Sequence, residues 1–140
     1  MVERTLVLVK PSGVRRCLIG EVIGRVERRG LSIKHARLFH VSREMSARHY
    51  AEHEGKHFYD DLVEHITSAP VFGMVIEGPE AVRVVRDMMG ATNPLDAAPG
   101  TVRGDFGLSV LHNVVHSADS PESAEREIAI FFPEDRGQED

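Results

Sequence analysis

Two short, uninterrupted apolar runs, at residues 6–9 and 71–76, constrain the fold more than any other feature of the sequence. Both are rich in β-branched residues and too short for a buried helix, so each predicts a β-strand covered on both faces. Residues 31–41, which follow Gly30, predict a third strand, and residues 113–116 predict a short fourth. The chain is therefore expected to build its sheet from strands that are far apart in sequence.

Apolar residues at helical spacing fill the segments between these strands. Three stripes each place apolar side chains on one helix face, namely Ile19, Val22, Ile23 and Val26, then Phe58, Leu62 and Ile66, then Val82, Val85, Met88 and Met89. A last helix is predicted to begin after Ser120, which suits the N-cap, with Pro121 at the first helical position. Ala124, Ile128 and Phe131 mark its buried side.

This order of elements predicts an α+β sandwich of the ferredoxin-like type. In that fold a βαββαβ chain forms a four-stranded antiparallel sheet covered by helices, which we expect on one face of the sheet. The length of 140 residues predicts a single domain, residues 1–140. Residues 133–140 are polar and acidic and are expected to form a flexible tail.

Charge and cysteine content narrow the class of function. The formal net charge is -5, whereas proteins that bind nucleic acid duplexes normally carry a basic surplus. Small anionic ligands remain compatible with this charge, because they need only a few local cations. Cys17 is the single cysteine, which predicts a reducing, cytoplasmic setting. The first apolar run is too short for a signal peptide or a membrane span, so no membrane association is expected.

Residues 90–112 show no sustained period and contain several prolines and glycines. Structureless segments of this length in compact domains are usually functional or disordered. This segment carries Arg103, Asp105 and Phe106, so we predict a functional loop, with a mobile surface loop as the alternative.

Three histidines, His49, His53 and His57, are spaced by four residues and would stack on one face of a continuous helix. Two such histidines can bind zinc, but a site needs a third ligand and supporting hydrogen bonds. Gly55 would interrupt the helix before His57. Partly exposed helix histidines are therefore the favoured interpretation, and a zinc site is the alternative.

His116 has a different setting, in the segment NVVHSADS at residues 113–120. It ends an apolar stretch and lies just before the N-terminus of the predicted last helix, a position that attracts anions. An imidazole is largely neutral at cytoplasmic pH and can attack phosphorus without a strong base beside it. A histidine at a strand end is more often structural, so this setting alone does not define a catalytic residue.

The same segment resembles the active-site motif of nucleoside diphosphate kinases, N-x-x-H-G-S-D-S. Other blocks resemble that family, in the same order, over nearly the whole chain: VKPSGV at 9–14, RHYAEH at 48–53, FY at 58–59, GATNP at 90–94, PGTVRGDF at 99–106 and SPESAEREI at 120–128. One block alone would be unspecific, whereas the ordered set is highly specific. The resemblance implies a ferredoxin-like fold and a ping-pong reaction, in which a nucleoside triphosphate such as ATP phosphorylates histidine and a nucleoside diphosphate then takes the phosphate.

The resemblance also implies roles for the matching residues. His116 is the nucleophile, Glu127 orients its imidazole and Tyr50 lies close to it. The nucleotide is expected to bind through Lys10, Phe58, Arg86, Thr92, Arg103, Val110 and Asn113, with Phe58 stacking on the base opposite Val110. A Mg²⁺ ion is expected on the nucleotide phosphates near Asp119. Members of the family assemble as hexamers, tetramers or dimers, so a homo-oligomer is expected.

These roles agree with the chemistry of the residue types. A transferring phosphoryl group spreads negative charge over three oxygens, so positioning and cationic stabilisation do most of the work. Arginine can bind two of those oxygens at once. Stacking on Phe58 would discriminate little among bases, because every base offers a π-face.

Several positions depart from the family pattern. Ser12 replaces a common aspartate, Cys17 a frequent glycine, His57 a proline, and Leu111-His112 a glycine followed by a basic residue. The most consequential change is Ser117-Ala118, where glycine and serine are usual. In the family that serine hydroxyl supports the glutamate beside the catalytic histidine; its loss is expected to slow the enzyme about fivefold, with Ser117 as a candidate replacement.

Two other functions remain open at this point. A catalytically weakened nucleotide-binding or regulatory homologue would keep the cationic cluster, and Ala118 favours it. An RNA-binding module of the same fold would carry aromatic residues on its central strands above a basic face. The central strands here are mostly aliphatic and the net charge is negative, which disfavours binding of nucleic acid.

Overall fold

All four predicted strands are present in the computed structural model, which describes residues 2–135. They are β1 (Val2–Val9), β2 (Ser32–Phe39), β3 (Val71–Pro79) and β4 (Val115–Ser117). The sheet order is β2-β3-β1-β4, and every neighbouring pair is antiparallel. This is the predicted ferredoxin-like arrangement, because β1 and β2 are separated in the sheet by β3.

The four helices predicted from apolar spacing and capping are also present, as α2 (Ile19–Arg28), α4 (Tyr59–Thr67), α5 (Ala81–Met89) and α7 (Pro121–Phe131). The described residues also form three helices that these patterns did not predict, α1 (Pro11–Arg15), α3 (Arg43–His49) and α6 (Val102–Phe106). The start of α7 is as predicted, since Ser120 accepts a hydrogen bond from the backbone N–H of Ser123 and Pro121 is the first helical residue. Phe58, predicted within a helical stripe, is instead the N-cap residue of α4.

Helices cover both faces of the sheet, so the expectation of a single covered face is wrong. Val7 and Val9 of β1 pack into a core with α2 and α5. Leu6 and Leu8, on the opposite face of the same strand, pack into a second core with α4 and α7. The side chains at residues 6–9 of β1 are all fully buried, as the uninterrupted apolar run predicts.

The strand register brings the ends of β1 and β4 together. Leu8 pairs with His116 and Val9 pairs with Val115. Lys10 follows β1 directly, and its backbone N–H donates to the carbonyl of Val114 at 2.8 Å. Residues far apart in sequence therefore meet at one end of the central strands.

The segment 90–112 is more ordered than predicted. It contains the 3₁₀ turn Pro94–Asp96 and helix α6, whose N-cap Thr101 accepts from the N–H of Gly104. Asp105, predicted to belong to a functional loop, accepts hydrogen bonds from Arg25 at 2.8 Å and from the backbone of Gly100 at 2.9 Å. Asp105 therefore links the segment to α2 by hydrogen bonds and does not line the cavity described below.

The predicted tail at 133–140 is described only as far as Asp135. The carboxylate of Asp135 accepts from Arg4 and lies 3.0 Å from Nε2 of His35. Residues 136–140 lie outside the described residues. Within residues 2–135, none of the helices is both long enough and apolar enough to cross a membrane.

Candidate active site

The imidazole of His116 is held by one carboxylate. His116 lies in β4, and its Nε2 is 2.8 Å from Oε1 of Glu127 in α7. With Glu127 ionised, Nε2 must carry the proton, so Nδ1 keeps its lone pair. The His116 side chain is 21% exposed and that of Glu127 is 6% exposed, which leaves the ring, rather than the carboxylate, accessible.

A strained turn lies directly before β4. Val114 has φ = 77°, a value that a β-branched residue rarely adopts, and the N–H of Val115 donates to the carbonyl of Asn113 at 2.8 Å, closing a three-residue turn. Helix α1 packs close against it through Gly13. A Cβ at Gly13 would lie 2.8 Å from Cγ1 of Val9 and 3.0 Å from the carbonyl oxygen of Val114.

Lys10 and Asn113 form the floor of the site. The Nζ of Lys10 donates to Oδ1 of Asn113 at 2.8 Å, and Nδ2 of Asn113 donates to the carbonyl of Thr92 at 2.9 Å. Lys10 is 7% exposed and Asn113 is 2% exposed. Both the oxygen and the nitrogen of the Asn113 amide are thus hydrogen-bonded, and the amide orients Lys10 without neutralising its charge.

The two predicted arginines are anchored by backbone carbonyls. Arg86 of α5 donates to the carbonyl of Ser117 at 2.9 Å. Arg103 of α6 donates to the carbonyls of Gly90 at 2.7 Å and Val115 at 2.8 Å. Since neither guanidinium is matched to a carboxylate in these contacts, both keep their positive charge available to an anion.

Burial and mutual repulsion shift the pKa values of these groups. Burial, with the charge of Arg103, lowers the pKa of Lys10 to about 7. Burial and Arg86 lower the pKa of Arg103 to about 10. The pKa of His116 falls well below its usual value because the ring is desolvated and close to Lys10, Arg103 and Arg86, so the imidazole is neutral and nucleophilic at neutral pH. Burial raises the pKa of Glu127.

One cavity of about 330 Å³ connects these groups. Every residue predicted for the site from the sequence lines it: Lys10, Tyr50, Phe58, Arg86, Thr92, Arg103, Val110, Asn113, His116, Asp119 and Glu127. The structure therefore brings together side chains from α3 to α7 and from the sheet. Sequence reasoning missed other lining residues, among them His49, Glu52 and Arg126.

The mouth of the cavity is partly apolar. Phe58 is half-buried, with its ring 5.4 Å from that of His53, and Val110 is 50% exposed. Tyr50, at the end of α3, is buried, and both burial and the charge of Glu127 raise the pKa of its hydroxyl. A half-buried aromatic ring at the mouth and a cationic floor suit a ligand with a flat end and an anionic end.

His49 does not behave as predicted. It is the last residue of α3, 4% exposed, and its ring lies 4.6 Å from that of His116. His53 lies in a separate 3₁₀ turn, and Gly55 breaks the chain direction before His57, so the three histidines do not share a helix face. The expectation of partly exposed helix histidines is wrong for His49. Helix α3 ends at this residue, and its side chain is buried in the core.

The Ser117-Ala118 substitution places a methyl group where the family motif has a serine hydroxyl. Ala118 is fully buried against Val82 and Ala124. The Oγ of Ser117 is buried and, within the described part of the chain, has no hydrogen-bond partner, so the predicted compensation by Ser117 is not found. The Glu127–His116 contact is nevertheless intact at 2.8 Å.

A magnesium ion bound to phosphates would fit the carboxylates at the cavity. Mg²⁺ prefers oxygen ligands and is commonly held by one or two carboxylates together with substrate phosphates. Asp119 and Glu52 are exposed and line the cavity, whereas Glu127 is engaged with His116. The protein alone offers too few oxygens for a dedicated magnesium site.

Fold and cleft together define a class: a ferredoxin-like protein that binds phosphorylated ligands beside a neutral, nucleophilic imidazole. The chain belongs to the nucleoside diphosphate kinase family, whose sequence model matches residues 3–136. The relatives include the enzyme of that name from Archaeoglobus fulgidus, 60% identical over 133 residues, which are 95% of this chain and 88% of that one. The enzyme of Mycobacterium avium is 56% identical over 135 residues, 96% of this chain and 99% of that one.

Solved structures agree. The nucleoside diphosphate kinase of Halobacterium salinarum, determined in complex with CDP, superposes with a TM-score of 0.92 at 51% identity, over 94% of this chain and 88% of that chain. The apo enzyme from Encephalitozoon cuniculi gives a TM-score of 0.94 at 36% identity, over 99% and 93% of the two chains.

Proposed function

We propose that this chain is a nucleoside diphosphate kinase, which transfers the γ-phosphate of a nucleoside triphosphate to a nucleoside diphosphate through phosphorylated His116. The observation that carries the proposal is the hydrogen bond from Nε2 of His116 to Glu127, which leaves Nδ1 as the free nucleophile beside Lys10, Arg86 and Arg103. Membership of the family supports it.

In the first half-reaction, Nδ1 of His116 attacks the γ-phosphorus. The N–P bond forms as the bond to the β–γ bridging oxygen breaks, and the nucleoside diphosphate leaves with that electron pair. As the ring gains positive character, the carboxylate of Glu127 stabilises the Nε2 proton. In the second half-reaction, a terminal phosphate oxygen of another nucleoside diphosphate attacks the phosphorus, and the pair returns to Nδ1.

The three cations stabilise the charge on the transferring group. Arg86 and Arg103 are fixed by backbone carbonyls before the substrate arrives, so little reorganisation is needed. Lys10 is only about half protonated at pH 7 in the free protein, because its pKa is about 7, and an incoming phosphate would restore its full charge. Removal of one such donor typically costs about 10²–10³ in rate.

The remaining predicted contacts complete nucleotide binding. Asn113 and Lys10 would hold the ribose, Thr92 a phosphate oxygen, and Phe58 the base opposite Val110. Tyr50 would pack beside the nucleophile. Because the base would be held by stacking rather than by edge hydrogen bonds, we expect little selectivity among bases. Mg²⁺ would arrive on the nucleotide phosphates, near Asp119, and would neutralise part of their charge.

A homo-oligomer is part of the proposal. Strand β2 is an edge of the sheet and exposes Leu38, and Leu95 and Leu108 are exposed elsewhere. Edge strands and exposed large apolar side chains favour association between copies. A hexamer, a tetramer and a dimer remain the candidate assemblies, which a mass from light scattering distinguishes.

A single domain in the cytoplasm is proposed, in keeping with the lone exposed Cys17.

Phosphorylation of the protein tests the function. Incubation with γ-labelled ATP and Mg²⁺ should leave acid-labile label on the chain, and chase with GDP should transfer it to GTP. His116→Ala should carry no label, whereas His65→Gln, a change of a histidine outside the cavity, should be labelled normally. Label on the His116→Ala protein would refute the assignment of the nucleophile.

The alternative is a nucleotide-binding homologue with weak catalysis, favoured by Ala118. It predicts that ADP binds while the chase of label into GTP is slow. The intact contact between His116 and Glu127 argues against a complete loss of activity. Turnover of GDP to GTP with ATP as donor separates the two functions.

A further inference from the structure

His49 is a buried polar side chain that the proposed reaction does not use. Its ring is 4% exposed, and neither Nδ1 nor Nε2 has a hydrogen-bond partner among residues 2–135. Buried polar groups in native proteins are nearly always satisfied, so each exception calls for a partner such as water or an ion. Aromatic contacts fix the ring from three sides: Tyr50 at 4.5 Å, His116 at 4.6 Å and Phe131 at 5.2 Å between centroids.

The unsatisfied imidazole faces two other metal-ligating groups. One ligand atom each from His49, His116 and Glu127 lie within 4.8 Å of one another. Two imidazole nitrogens and one carboxylate oxygen are the ligand set of catalytic zinc sites that keep an open position, and they suit other borderline divalent metals. Mg²⁺ prefers an all-oxygen shell and does not match this set.

We propose that His49, His116 and Glu127 form a binding site for Zn²⁺, and that Zn²⁺ bound there blocks phosphorylation of His116. The binding claim is independent of the proposed function, whereas the blocking claim rests on it.

The burial of His49 and Glu127, each 4% exposed, keeps bulk water from competing for their ligand atoms. Lys10, Arg86 and Arg103 oppose a dication, and they limit the affinity below that of an isolated site.

Zn²⁺ would remove the nucleophile whichever ring nitrogen it takes. Bound at Nδ1 of His116, it occupies the attacking lone pair. Bound at Nε2, it replaces the proton shared with Glu127, and the neutral imidazole must then carry its proton on Nδ1. In both cases no lone pair remains for phosphorus.

Direct binding of Zn²⁺ to the metal-free protein, without nucleotide, tests the site. We compare the wild type with His49→Phe, which keeps an aromatic ring in the pocket, and His49→Gln, which keeps a polar group. Competition with a chromogenic chelator should show that both variants bind Zn²⁺ about tenfold or more weakly, the effect of losing about 1.4 kcal/mol. His65→Gln is the matched control, because Nε2 of His65 is also buried and has no hydrogen-bond partner within residues 2–135, but His65 is not one of the three proposed ligands.

Phosphorylation then tests the consequence. With Mg²⁺ and γ-labelled ATP present, Zn²⁺ should suppress labelling of the wild type and of His65→Gln at a concentration that leaves both His49 variants labelled. Thermal melts confirm that the variants are folded.

Equal Zn²⁺ affinity of the wild type and the His49 variants would overturn the site, as would no binding by the wild type; His49 would then be satisfied by water. Zn²⁺ binding that depends on His49 in a protein that takes no label would refute the proposed kinase activity and leave the metal site standing.

Discussion

At the scale of single residues, the position after Ser117 distinguishes this chain from the family motif. Ala118 supplies no hydroxyl, and its methyl group packs against Val82 and Ala124. Glu127 therefore reaches His116 without the support that the family serine gives. The adjacent hydroxyl of Ser117 is buried and contributes no hydrogen bond among the described residues.

Restoration of the hydroxyl by Ala118→Ser should raise the turnover number about fivefold or more, because a hydrogen bond from the hydroxyl to the carboxylate of Glu127 is worth at least roughly 1 kcal/mol. Steady-state rates of GDP phosphorylation by ATP measure the effect. Ser117→Ala is the control: it removes an unpaired hydroxyl and should leave both rate and stability nearly unchanged. An unchanged rate in Ala118→Ser would mean that the hydroxyl does not limit catalysis.

If Lys10 contacts the nucleotide phosphates, as the proposed function requires, nucleotide binding should be coupled to proton uptake. At pH 8 the free protein holds this lysine mostly neutral, since its pKa is about 7 and lies below the pH. A bound phosphate raises that pKa, so binding of ADP should take up as much as about one proton per site. Titration calorimetry in two buffers of different ionisation enthalpy measures the uptake.

Lys10→Met should abolish most of the buffer dependence at pH 8 and weaken binding. Wild-type enthalpies that are equal in both buffers would contradict a neutral lysine in the free site.

At the scale of elements, the close packing of α1 against β1 and against the turn before β4 shapes the end of the site that carries Lys10 and Asn113. Gly13 makes this possible because it has no side chain between Val9 and Val114. The turn holds Val114 at positive φ, so the backbone there is strained and depends on its neighbours.

Gly13→Ala should lower the free energy of unfolding by about 1–3 kcal/mol, the usual cost of overpacking, because the new methyl group meets backbone as well as side chain. Urea denaturation measures the change. Gly20→Ala in α2 is the matched control: nothing lies within 4 Å of the added Cβ, so it should stabilise the helix by about 1 kcal/mol. Equal stability of Gly13→Ala and the wild type would show that α1 moves freely.

Much of the secondary structure follows from local patterns. The uninterrupted run in β1 indicated burial on both faces, and Ser120-Pro121 located the start of α7. The order in 90–112 was not predicted, because α6 is short and Asp105 stabilises the segment only through a distant arginine, Arg25. Such ion pairs have no local sequence signature.

The candidate site was predictable because the family motifs are ordered along the chain, and every residue to which the resemblance gave a role lines the same cavity. His49 was predicted to be a partly exposed helix histidine, since spacing alone does not reveal that α3 ends at this residue. Arg126 was missed because a basic residue in a helix is usually solvated. Both depend on how α3 and α7 pack, which is a tertiary property.

At the scale of the whole molecule, two exposed surfaces could contact another copy of the chain. Strand β2 leaves one edge of the sheet without a neighbour among the described residues, and Leu38 on that strand is 57% exposed. Leu95, in the 3₁₀ turn Pro94–Asp96, is 81% exposed. Each marks a surface that a second copy could cover.

Leu38→Glu should lower the assembly mass if copies join along β2, because a buried carboxylate at the contact is unfavourable. Light scattering after size-exclusion chromatography measures the mass. Leu95→Glu carries the same charge on a different surface and serves as the comparison. Dissociation by Leu95→Glu alone would place the contact at the turn instead.

The bond between Lys10 and Asn113 joins positions separated by 103 residues, and Glu127 comes later still. A nascent chain emerging from the ribosome therefore cannot assemble the cleft until almost its entire length has been synthesised. Fragments that lack α7 should neither bind nor phosphorylate nucleotides. Premature termination of synthesis would therefore yield inactive products.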